Sequence, residues 1–175
     1  MTGVSTAQRQ QIEAALRSSP AQMTLQLARQ LDVPEVEVIR LLPDGRSVEL
    51  DAARWEEVLR GFEGLGKLHV IVSNASTTCE VVGEFGGFST WGEFFNVQSK
   101  SIDMHIRFAE LGSIFVVEKP SHMDGVSTLS IQFFDRSGHA AFKVFFSFGS
   151  RPTPERIAAF NSLRDRFRKS VHAMP

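Results

Sequence analysis

Between Lys67 and Phe148 the chain has seven short runs of apolar and β-branched residues and no stretch with helical spacing. The runs are Leu68 to Val72, Cys79 to Phe85, Trp91 to Gln98, Ile102 to Ala109, Ile114 to Glu118, Thr128 to Phe134 and Ala140 to Phe148. Turn residues separate them, among them Ser73-Asn74, Gly86-Gly87, Leu111-Gly112 and Arg136-Ser137-Gly138. Parallel neighbours would need crossovers of about a dozen residues, so runs roughly ten residues apart must turn back on one another. The middle of the chain is therefore predicted to be a large antiparallel sheet laid down as a meander, and the fold class to be α+β.

Helical patterns flank this region. Thr6 can cap a helix from Gln8 to Ser18 with Ile12, Ala15 and Leu16 on one stripe. Thr24 can cap a second helix through Leu31, and Pro34 fits the first turn of a third carrying Val36, Val38, Ile39 and Leu42. Ser47 to Leu50 reads as a short strand, and Asp51 as the cap of a helix from Ala52 to about Phe62. After Arg151-Pro152-Thr153-Pro154 a last helix runs to about Lys169, with Ile157, Phe160, Leu163 and Phe167 on the face that docks on the sheet. The division expected is a helical region, residues 1–65, packed on a sheet domain, residues 66–175, in one compact unit.

Several function classes lose support here. Thr24 to Leu42 has the outline of a helix-turn-helix, but residues 1–65 carry 7 Lys+Arg against 10 Asp+Glu. Duplex binding is driven by basic charge, so these helices are read as a cap over the sheet and no nucleic-acid partner is expected. No run approaches the ~18 apolar residues of a membrane helix and no signal-peptide pattern opens the chain, so a cytoplasmic protein without a membrane partner is expected. Glycines of the Gly61-to-Gly66 segment precede a strand instead of following one, which makes them a helix stop and not a dinucleotide fingerprint. A nucleophile elbow, a P-loop and a covalent haem motif are all missing. Cys79 is read as a buried structural thiol. The five His are scattered, with none at i, i+4 on a helix, so the pattern does not support zinc and no catalytic residue is assigned.

One strand carries more information than the rest. In Ser101-Ile102-Asp103-Met104-His105-Ile106-Arg107-Phe108 the side chains alternate. Ile102, Met104, Ile106 and Phe108 form a core face, and Asp103, His105 and Arg107 point the other way. There are 15 Phe in the chain and 12 of them lie between Phe85 and Phe148, enough aromatic surface to wall a large flat ligand. An imidazole on a rigid strand suits iron, and haem needs an axial donor, an apolar slot and cations for its propionates. His105 is the candidate donor, with Arg107 and Lys100 or Lys119 as the cations. The other reading is a strand histidine that meets only solvent. His69, His122 and His139 are read as solvated.

Taken together, the residues resemble a known family. Gly66-Lys67-Leu68 with Val70-Ile71-Val72, then Gly83-Glu84, Phe95-Asn96-Val97 and His105-Ile106-Arg107, are similar to segments of the HutX/ChuX haem-utilisation carriers. So is Phe133-Phe134-Asp135-x-x-Gly138-x-Ala140-x-Phe142-Lys143-Val144-Phe145. The likeness spans most of residues 52–150. It implies a cytoplasmic homodimer, each chain similar to one half of the tandem-repeat haem proteins. It also implies that haem is bound non-covalently as cargo and exchanged with a haem-processing enzyme. By the same resemblance His105 is the iron ligand, Arg107 and Lys100 lie near propionates, Phe94 and Phe95 wall the slot, and His69 is a second-choice donor. A second family histidine falls on Ser73, and with no Tyr in the chain tyrosinate ligation is excluded. The alternatives are an enzyme that degrades haem or releases its iron, and a scaffold that no longer binds it.

Overall fold

The computed structural model describes residues 3–122, 125–147 and 151–170. Three helices open the chain: α1 (Thr6–Ser18), α2 (Thr24–Leu31) and α3 (Glu35–Arg40). The α1 cap is Ser5, whose hydroxyl accepts from Gln8 N while the Gln8 side chain accepts from Ser5 N. Thr6 therefore begins the helix instead of capping it. Thr24 is likewise a helical residue, and its hydroxyl reaches Glu35. Next come β1 (Ser47–Leu50), a 3-10 turn at Ala52–Arg54 capped by the predicted Asp51, and α4 (Trp55–Arg60).

Nine strands are assigned among the described residues. They continue with β2 (Leu68–Ser73), β3 (Thr78–Gly83), β4 (Ser89–Trp91), β5 (Phe94–Gln98) and β6 (Asp103–Arg107). A 3-10 turn at Phe108–Glu110 leads into β7 (Leu111–Pro120), β8 (Ser127–Asp135) and β9 (Ala140–Phe145). Helix α5 (Pro154–Phe167) follows. The expected end of the last strand, at Phe148, lies outside the described residues, as does His172.

The α+β class and antiparallel pairing are as predicted, but the strands divide between two sheets. Six form the order β1-β7-β8-β9-β2-β3, and β4-β5-β6 make a separate sheet of three. The predicted strand from Trp91 to Gln98 is a hairpin instead, broken at Gly92, where φ is +57°. Gly87 marks the crossover between the sheets: its φ is +59°, and a Cβ there would sit 2.0 Å from the Gln98 carbonyl oxygen. Only glycine fits that turn.

Each face of the large sheet has its own cover. On one side Ile114, Val116, Ile131, Phe133, Phe142 and Val144 share a core with Phe95, Val97 and Ile106 of the small sheet, Val58 and Leu59 of α4, and Phe160, Leu163 and Phe167 of α5. On the other, Phe115, Val117 and Phe134 meet Ile12, Leu16, Leu27, Ala28, Val36, Val38 and Ile39 of the opening helices. That is the predicted helical cap, and it buries most of α3. Cys79 corrects an expectation: it is exposed on β3, the sheet's edge strand.

The cap is also tied down by charge. Glu35, whose side chain is 1% exposed, pairs with Lys143 Nζ of β9 at 2.5 Å and accepts from Thr24 Oγ1 at 2.5 Å. Removing one member of a buried pair strands the other in low dielectric. Lys143→Met is expected to lower stability by about 3 kcal/mol in urea unfolding, and combining it with Glu35→Leu should restore much of the loss. A single-variant loss well under ~1 kcal/mol, as for a surface pair, would contradict this.

Candidate functional site

Pairing in the small sheet sets which side chains share its outer face. Register places Asn96 opposite His105, Phe94 opposite Arg107 and Gln98 opposite Asp103. On the far side of β5, Ser89 lies opposite Asn96 and Trp91 opposite Phe94. Directly paired residues point the same way. The outer face therefore carries a row of Ser89, Asn96 and His105 beside a row of Trp91, Phe94 and Arg107. Its inner face, with Phe95, Val97, Met104 and Ile106, is fastened into the core.

His105 is held by its neighbours. Its Nδ1 lies 2.7 Å from Asn96 Oδ1, and Asn96 Nδ2 donates to Ser89 Oγ at 3.1 Å. An amide oxygen can only accept, so Nδ1 carries the proton and the neutral ring keeps its lone pair on Nε2. Nε2 lies 3.5 Å from Asp103 Oδ1, an ion pair only when the ring is protonated. The side chain is 54% exposed, and Phe94 meets the ring edge-on at 6.4 Å. A second partner that fixes tautomer and orientation is what a ligating imidazole requires.

The other predicted residues fare differently. Arg107 shares the face but is held by Glu93, its Nη2 2.7 Å and Nε 3.2 Å from Oε2; this hydrogen-bonded carboxylate raises its pKa. Lys100 lies in the exposed bend between β5 and β6. Phe94 flanks His105, but Phe95 is turned to the opposite face, fully buried, edge-on to Trp55 at 5.1 Å and stacked on Phe88 at 5.6 Å. It supports the sheet from below and walls nothing. His69 is on the other sheet and is buried, not solvated. Its Nε2 is 3.0 Å from Glu80 Oε2; burial lowers its pKa, with Glu80 opposing. His139 is exposed, 4.0 Å from Asp135. Trp91 is the aromatic missed on the outer face, 78% exposed and beside Phe94. Asn96 was the signal available for the orienting partner, a lone amide inside the apolar run Phe94-Phe95-Asn96-Val97.

A polar stripe crosses the large sheet where the helical cap stops. Ser130 and Gln132 of β8, Lys143 and Phe145 of β9, Ile71 and Ser73 of β2, and Glu80 of β3 line a cavity of about 290 Å³ beneath Thr24 and Leu25, with Lys119 and His122 at its rim. Lys119 Nζ donates to the carbonyls of Ala21 at 3.3 Å and Pro120 at 2.9 Å. Burial, helped by the cations of Lys143 and Arg46, lowers its pKa from 10.5 to about 8.

The chain thus combines a two-sheet α+β scaffold with one oriented imidazole beside aromatic rings on its small sheet. The chain belongs to the haem utilisation ChuX/HutX family, whose model matches residues 48–163. It is similar to the intracellular heme transport protein HutX of Vibrio cholerae, 21% identical over 91% of this chain and 84% of that one. Among solved structures, a protein of Agrobacterium tumefaciens matches with a TM-score of 0.81 at 25% identity, over 96% of this chain and all of that one. The heme degrading enzyme ChuS of Escherichia coli O157:H7 matches with a TM-score of 0.76 at 21% identity. That match covers 93% of this chain but 47% of ChuS, so the fold recurs as about half of the larger chain.

Lys119 gives a pH test. Its folded pKa lies below the unfolded one, so the unfolded state holds the proton more tightly and stability rises with pH between about 8 and 10.5. Lys119→Met is expected to stabilise the protein at pH 7 by about 1–2 kcal/mol, reduced from the full linkage value because the amine is partly solvated. The gain should fade by about pH 10.5, read as the difference in melting temperature across the range. A gain that grows with pH would contradict the assignment.

Proposed function

We propose that this protein binds haem non-covalently inside the cell and passes it on, with His105 Nε2 as the axial donor to iron. The observation that carries this reading is the Asn96 hydrogen bond to Nδ1, which in the neutral ring puts the lone pair on Nε2. The family and the HutX relative support the cargo; the geometry supports the donor. Phe94 and Trp91 offer ring surface to a porphyrin edge. Lys100 lies within the same region for a propionate, and Arg107 can serve a second once it exchanges Glu93 for it. One imidazole on an open face suits a carrier, because the cargo has to leave.

A second copy pairing its own small sheet against this face would enclose the porphyrin. The homodimer is therefore part of the proposal, as is hand-over to a haem-processing enzyme. The carrier reading is preferred to a degrading enzyme because Asp103 is the only carboxylate beside Nε2 on this face among the described residues.

Adding ferric haem to the purified protein is expected to give a shifted, saturable Soret band. His105→Ala should weaken binding by at least about tenfold, the loss of one good ligand bond, and Asn96→Ala by a smaller factor. The band should persist when ascorbate is supplied. Unchanged affinity in His105→Ala would remove this residue, and loss of the band with ascorbate would convert the carrier into an enzyme.

A further inference from the structure

A second cavity, of about 300 Å³, opens at the amino end of α5, lined by Lys67, His69, Phe145, Ser147, Arg151 and Arg156 among others. No carboxylate is among its described lining residues. Arg156 is fixed at its edge, donating through Nη1 to the Phe146 carbonyl at 2.7 Å and through Nη2 to the Lys67 carbonyl at 2.5 Å. A guanidinium has five N–H donors, so Arg156 keeps donors beyond these two. Ser147 is 7% exposed, and its Oγ makes no hydrogen bond among the described residues, an uncommon state for a buried hydroxyl. Arg151 and Lys67 are exposed and add two cations to the lining.

The helix terminus is not itself the attraction. Thr153 Oγ1 already accepts from Arg156 N, and the Glu155 carboxylate takes its own N–H and the Thr153 hydroxyl. Glu80 is bonded to His69. What remains is a set of side-chain donors, one guanidinium clamped in place and one buried hydroxyl short of a partner. Planar forks and cations of this kind recognise oxygens of carboxylates and phosphates.

From this arrangement we propose that the cavity at the start of α5 is an oxyanion-binding site for a phosphate or carboxylate group. It does not rest on the haem reading, because it is built on the large sheet and α5, whereas His105 belongs to the small sheet. Arg151 and Lys67 would close over the anion, Arg156 would hold it from one side, and the Ser147 hydroxyl would donate to it.

The test is a titration of the full chain, followed by amide ¹H–¹⁵N shifts, with inorganic phosphate and with acetate against chloride at equal ionic strength. Shifts confined to Lys67, Ser147, Thr153 and Arg156 that saturate with phosphate alone identify a phosphate ligand; equal saturation with acetate identifies a carboxylate. Arg151→Gln, at an exposed position, should weaken binding about tenfold, the loss of a charge-assisted bond, and Ser147→Ala severalfold. Shifts no larger than those from chloride, or undiminished binding in Arg151→Gln, would overturn the proposal.

Discussion

The outer face of the small sheet depends on how its inner face is packed. Phe95, Val97 and Ile106 are buried in the core formed with the large sheet, α4 and α5. Side-chain alternation then leaves no choice for their neighbours. A one-residue slip of β6 would bury His105 and expose Ile106, and the lost burial of Ile106, about 1.5–3 kcal/mol, opposes it. The position of the imidazole is thus a by-product of hydrophobic register. Asn96 and Ser89 add only the final orientation.

The other half of the molecule obeys a different rule. The opening helices cover Phe115 and Val117 of β7 and Phe134 of β8 with aliphatic side chains, but from Ser130 and Gln132 of β8 across β9 and β2 the lining turns polar. Lys143 is the hinge between the two regimes, its charge neutralised by Glu35 across the cap. Buried pairs of this kind are retained more readily for specificity than for stability. Here the pair sets where α2 and α3 sit, and so how much of the polar stripe stays accessible.

Much of this was legible in the chain. Helix and strand periods located nearly every element, and the charge balance of the first 65 residues turned an apparent DNA-reading motif into a sheet cover. Less legible was the partition of strands. Gly86-Gly87 reads as one turn among several, and only the close approach of Gln98 shows that it carries the chain from one sheet to another. Gly92 was absorbed into a long strand because Trp91 and Phe94 both favour one. Phe95 was misplaced for a related reason: clustering of Phe predicts aromatic surface, whereas parity assigns each ring to a side. His69 looked solvated because its partner Glu80 is on the next strand, where nothing local reveals it. Alternation alone correctly placed Asp103, His105 and Arg107 together.

The chain belongs to the ChuX/HutX family, and with Ser73 on β2 and no tyrosine in the sequence it offers few protein donors for iron. One oriented imidazole on an open aromatic surface is the proposed answer. Pulsed electron paramagnetic resonance of the ferric haem complex, made with ¹⁵N-histidine-labelled protein, tests it most directly. Hyperfine coupling from one imidazole nitrogen, absent in His105→Ala, is the expected result. The same coupling surviving in that variant would place the iron elsewhere.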